Sequence, residues 1–90
     1  MCIRDRAKAV RAYLNAEGLE REEKLLEGLS NAALALSQSM DGATAKERAS
    51  TALLLRSVAA RVGAATCEWA AKDERVAAIN GAADGLEGAA

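Results

Sequence analysis

Ninety residues with a formal net charge of −1 and no histidine make one domain at most, and one without the commonest general base and zinc ligand. At this size only about 60% of the unfolded surface is buried on folding, so stability is marginal and self-association is a common remedy. Cys2 and Cys67 are the two cysteines. They give no disulfide framework, which points to a reducing, cytoplasmic setting. The longest uncharged run, Gly28 to Met40, is too short for a bilayer, and no signal peptide opens the chain. A membrane role is therefore not expected. Alanine fills 23 positions and leucine 11, proline and phenylalanine are absent, and Tyr13 and Trp69 are the only aromatic residues. Alanine is the best helix former, and strand-favouring residues are scarce, so the composition predicts an all-α fold.

Residues 1–6, Met1-Cys2-Ile3-Arg4-Asp5-Arg6, read as the translation of a transposon-derived sequencing adapter. On that reading they are a non-native scar on a metagenomic fragment, the gene continues upstream, and Cys2 and three charges leave the functional argument. The helical domain then spans residues 7–81.

Its first helix is predicted at about 6–17. Ala7, Val10, Tyr13 and Leu14 recur at helical spacing, and Gly18 suits a left-handed cap. The second is predicted at about 20–40. Glu20, Glu22 and Glu23 occupy its first turn, where the helix dipole favours them. Its buried stripe is Leu25, Leu26, Leu29, Ala32, Ala33, Leu36 and Met40, and Asp41-Gly42 ends it. These two helices form an antiparallel hairpin. Gly28 and Gly63 are places where helices can approach closely, or are merely tolerated.

Thr44-Ala45-Lys46-Glu47 is a capping box, from which the pattern stays helical to about residue 80. Leu55, Val58, Val62, Ala65, Trp69, Lys72, Val76 and Ile79 follow steps of three and four, an a/d heptad register with one polar member. Ala52-Leu53-Leu54-Leu55 is apolar around most of the helix, which calls for neighbours on more than one side. Gly81, Gly85 and Gly88 each cost about 1 kcal/mol against alanine in a helix, so residues 82–90 are expected to fray. The predicted architecture is a three-helix bundle, a hairpin plus a long third helix with a coiled-coil extension. Past Trp69 that helix outruns its partners. Leu55, Val58, Val62, Trp69, Val76 and Ile79 are thus the candidate interface of a homo-oligomer. The other solution is that the chain bends near Gly63 and covers its own stripe.

Catalytic, cofactor and metal sites are not expected. Cys67 has no CxxC partner and no histidine to activate it. Glu68, Asp73 and Glu74 lack the Glu-x-x-His pattern of bundle metal sites and read as solvated surface. The glycines form no phosphate loop. Trp69 reads as a packing residue, with ligand stacking as the sharper alternative. Lys72 reads as a lysine snorkelling at an interface edge, or as a device that specifies register. Lys46, Arg48, Arg56 and Arg61 are the candidate nucleic-acid contacts, although Lys46 and Arg61 point elsewhere on the helical wheel than Arg48 and Arg56.

The order of segments carries a resemblance. Ala9-Val10-Arg11-Ala12-Tyr13-Leu14 is followed by Gly18-Leu19 and by a leucine-rich helix ending Leu36-Ser37-Gln38-Ser39-Met40-Asp41. A polar turn leads to Ala49-Ser50-Thr51-Ala52-Leu53-Leu54-Leu55-Arg56-Ser57-Val58. Over about residues 9–65 this resembles the short helical proteins of actinobacterial phages assigned as small terminase subunits. The resemblance implies a non-catalytic, oligomeric protein that recognises phage DNA and presents it to the packaging motor. The acidic, Ala/Gly-rich C-terminus and the lack of a recognisable helix-turn-helix depart from that pattern. The function expected from the sequence is a helical interaction subunit. The alternative is a structural coiled-coil or scaffold module that binds no nucleic acid.

Overall fold

In a computed structural model, which describes residues 3–88, the chain is helical throughout its ordered elements. Helix α1 covers Ile3–Leu14, a single 3₁₀ turn covers Leu19–Arg21, α2 covers Glu23–Ser37, α3 covers Ala45–Gly63 and α4 covers Lys72–Gly88. No strand occurs among the described residues. Of the adapter-like hexapeptide, residues 3–6 form the first turn of α1 and residues 1–2 lie outside the described region.

Two of the three main breaks are encoded locally. Gly18 adopts φ +75° after α1 and Gly42 adopts φ +78° before α3. Both lie in the left-handed region, where a Cβ would be strained. The predicted second helix divides because Glu22, at φ −113° and ψ 104°, is extended between the 3₁₀ turn and α2. Helix α3 starts on the capping box: the Glu47 amide donates to Thr44 Oγ1 at 3.1 Å, and the Thr44 amide donates to Glu47 Oε1 at 2.9 Å. Those bonds hold the Glu47 carboxyl below its ordinary value, the Thr44 amide being the larger cause. The box is therefore complete at neutral pH and is lost as pH falls through that lowered value.

The third break is the principal correction to the sequence reading. The predicted helix 44–80 ends at Gly63, and the chain reverses through residues 64–71 into a separate α4. Helices α3 and α4 then pack more extensively against each other than any other pair, and α4 also lies against α2. The all-α class stands, but the bundle has four main helices. The predicted fraying is also corrected for residues 82–88: they continue α4, and Ala83 and Leu86 are buried. Residues 89–90 lie outside the described region.

One core joins all four helices. Val10 of α1, Leu26, Leu29 and Leu36 of α2, Leu55, Val58 and Val62 of α3, and Ile79 of α4 are fully buried, with Leu19 of the 3₁₀ turn. In the stripe predicted for α2, Leu25 and Ala32 are only half-buried. Ser30 is buried, and its hydroxyl donates to the Leu26 carbonyl at 2.9 Å, which satisfies it within its own helix.

Gly28 is a genuine close approach. A Cβ built there would stand 2.8 Å from the Tyr13 ring, so the ring of α1 lies directly on the α2 backbone. Gly63 meets only Val76 Cγ2 at 3.9 Å, an ordinary contact, and nothing lies within 4 Å of a Cβ at Gly81. Gly28→Ala is expected to destabilise the fold by about 1–2 kcal/mol, overpacking outweighing the gain in helix propensity. Gly81→Ala is expected to stabilise it by about 0.5–1 kcal/mol. Urea titrations of the two variants should give midpoint shifts of opposite sign. Equal shifts would contradict the Tyr13 contact.

Candidate functional site

The candidate interface residues are placed inside the chain. Leu55, Val58, Val62 and Ile79 have no exposed surface, Trp69 is buried, and Val76 is half-buried against the core. The sequence pattern is expected to leave the stripe from Trp69 onward on one continuous helix facing a second chain, with a bend near Gly63 as the alternative. The reversal after Gly63 instead folds the stripe on itself, so α3 and α4 cover each other. The expectation of an exposed stripe is corrected accordingly. Lys72, the polar member, sits half-buried at the start of α4.

The four candidate nucleic-acid contacts do not form one surface. Arg56 reaches across to α4: its guanidinium donates to Glu87 Oε1 from Nε at 2.9 Å and from Nη2 at 2.6 Å, to Asn80 Oδ1 at 3.4 Å, and to the carboxylate of Asp84. Asp84 and then Glu87 raise its pKa further above the ordinary arginine value. Arg61 donates from Nη1 to the Leu14 carbonyl at 3.3 Å and from Nη2 to Glu20 Oε1 at 3.4 Å. Both arginines therefore spend their donors on the chain's own elements. Their acceptors are far away in sequence, which hid them from a helical wheel. Lys46, exposed, and Arg48, half-buried, take part in no ion pair among the described residues.

Lys46 instead belongs to a cleft between α1 and the start of α3. Arg4, Ala7 and Arg11 form one wall and Lys46, Glu47 and Ser50 the other. Arg4 and Arg11, seven residues apart, lie on one face of α1. The single carboxylate in the cleft, Glu47, is already engaged by the Thr44 amide. The cleft is consequently cationic. The sequence reading missed Arg11 as a cleft residue because its counterpart lies 35 residues away on another helix.

The outward face of α3 carries a second feature. Leu53 is 71% exposed, the one large exposed hydrophobic side chain among the described residues. Around it Ala49, Ser57, Ala60 and Ala64 are also exposed. The apolar belt Ala52–Leu55 signalled this position: Ala52 and Leu55 face the core and Leu54 is half-buried, but no helix covers Leu53.

The α3–α4 connection is pinned from outside. The backbone N–H groups of Thr66 and Cys67 donate to the Glu20 carbonyl at 2.9 and 3.2 Å, and Thr66 Oγ1 donates to the same oxygen at 3.3 Å. The Trp69 side chain is buried against the core, with the Arg75 guanidinium 5.8 Å from its ring centroid. Arg75 also donates to Asn31 Oδ1 on α2 at 2.7 Å. Cys67 is a half-buried free thiol beside Glu68 in a shallow concavity of this loop. Glu68, Asp73 and Glu74 are exposed. Among the described residues no group of three or more histidine, cysteine, aspartate or glutamate side chains could hold a metal ion, and no helix is long and apolar enough to cross a membrane. No protein-family model matches the chain, and neither a curated protein nor a solved structure is significantly similar to it.

Proposed function

We propose that the chain is a non-catalytic helical interaction subunit that self-associates through its outer surface. The observation that carries this reading is Leu53, 71% exposed on the outward face of α3 beside the exposed small side chains of Ala49, Ser57 and Ala60. A leucine in water forgoes about 1.5–3 kcal/mol of burial, and a neighbour on that face recovers it. Leu53→Glu places a charge at the centre of the contact and leaves the core untouched. In light scattering coupled to size exclusion, across a concentration series, the unaltered chain should show mass above that of the monomer. Leu53→Glu should shift the association to at least tenfold higher concentration, as a loss of about 1.4 kcal/mol would do. A strictly monomeric unaltered chain refutes self-association.

A second reading, a DNA-packaging component of the small-terminase kind, is favoured by the cationic cleft between α1 and α3. Arg11 and Lys46 are its cations outside the adapter-like hexapeptide, and phosphate contacts from such residues give affinity that falls with salt. A mobility-shift assay of the full chain at low salt tests it. Retarded DNA, released by Arg11→Glu with Lys46→Glu, supports DNA binding. Unshifted DNA leaves the reading of a structural module without nucleic-acid affinity.

A further inference from the structure

The three inter-helix connections are not alike. Those around Gly18 and Gly42 contain residues at positive φ and cannot become helical without losing a conformation built for glycine. The eight residues between Gly63 and Lys72 contain neither glycine nor proline, and none has positive φ. Ala64, at the C-cap of α3, has φ −84° and ψ 2°, with its amide still donating to the Ala60 carbonyl. At the start of α4, Ala71 offers no capping side chain. The local sequence Ala-Ala-Thr-Cys-Glu-Trp-Ala-Ala therefore does not oppose a helix. It is held open by tertiary contacts, the three donations to the Glu20 carbonyl and the burial of Trp69.

The heptad register also runs through this connection without a phase change, from Leu55 by way of Ala65 and Trp69 to Ile79. We infer that the α3–α4 connection is a hinge: it closes in the monomer, and it can straighten so that α3 and α4 fuse and exchange α4 with a second copy. The fused helix runs from Ala45 to Gly88, about 66 Å at 1.5 Å per residue. Two such helices lie antiparallel, each α4 taking the place beside the partner's α3 and α2 that its own α4 occupies in the monomer. The packing of Ile79, Ala83 and Leu86, and the Arg56 bridge to Asp84 and Glu87, are then remade between chains. Only the hinge differs between the two forms, which is the condition for low-cost exchange of an element.

This inference rests on the self-association reading and supplies a route for it distinct from the Leu53 face. Two substitutions act on the hinge in opposite directions. The Lys72 amide donates to the Trp69 carbonyl at 3.0 Å, so Ala70 is the second residue of a turn, where proline is favoured. Proline inside the fused helix would break it. Thr66→Ala removes a β-branched residue and one donation to Glu20, and so favours the straight hinge. The full chain and both variants are refolded from urea at high protein concentration. Mass is measured by light scattering and helix content by circular dichroism.

The expected result is a slowly exchanging dimer of the unaltered chain whose helix content exceeds that of the monomer by the hinge residues. Thr66→Ala should enrich it, and Ala70→Pro should reduce it at least tenfold while keeping a helical monomer. A dimer formed equally by Ala70→Pro overturns the inference, as does the absence of any dimer from both the unaltered chain and Thr66→Ala. A dimer that survives Ala70→Pro but is lost in Leu53→Glu overturns the exchange alone and leaves the outer-face contact standing. The reverse pattern retains the exchange and refutes that contact.

Discussion

Trp69→Ala is expected to lower the free energy of unfolding by about 3–5 kcal/mol, the range for deleting a buried tryptophan side chain. Only 8% of Trp69 is exposed, and its ring lies in the core cluster with Arg75 above it. A domain of this length has a total stability of about 5–13 kcal/mol, so the loss removes a large share of it. The ring also anchors the reversal between α3 and α4, so the damage should extend to α4. Denaturant titration followed by circular dichroism measures the effect. Trp69→Phe, which keeps an apolar ring but not its full volume, should cost less. Were Trp69 instead on an uncovered stripe awaiting a partner chain, its removal would cost under about 1 kcal/mol in the monomer. That outcome would contradict the fold-back of α4.

Leu55→Ala is expected to cost about 2–5 kcal/mol, the sum of lost transfer free energy and the cavity left behind. Leu55 has no exposed surface and sits midway along α3, among the fully buried side chains of the core. Leu53→Ala provides the matched control. It is the same chemical change in the same helix two residues away, but at a position 71% exposed. Its cost should stay within about 0.5 kcal/mol, as for surface substitutions generally. The difference between the two isolates burial from helix propensity. A loss below about 1 kcal/mol for Leu55→Ala would mean that α3 is rotated about its axis from the orientation described.

Features that depend on a few neighbouring residues were legible in the sequence. The all-α class follows from alanine content and the lack of proline. The turns at Gly18 and Gly42 follow from glycine where the backbone turns left-handed. The start of α3 follows from the Thr44–Glu47 box. Of the heptad register, Leu55, Val58, Val62, Trp69 and Ile79 are buried and Ala65 and Val76 half-buried, within the chain rather than against a second copy.

What covers them was decided only by the tertiary structure. Periodicity specifies that a face must leave water, but not whether the partner is another chain or the same chain reversed. Nothing in residues 64–71 breaks a helix by itself. The break is held by the Glu20 carbonyl, more than 40 residues earlier in sequence, and by the burial of Trp69 in the shared core. The basic group dissolved for the same reason. Helical spacing located Arg56 and Arg61 on α3, but their partners Glu87, Asp84, Glu20 and the Leu14 carbonyl come from elements that sequence proximity does not place beside them. Local backbone chemistry and amphipathic spacing thus determined the elements and their buried faces. Long-range hydrogen bonds and ion pairs, which exist only once the helices have packed, decided where the third helix ends and which charges are left free.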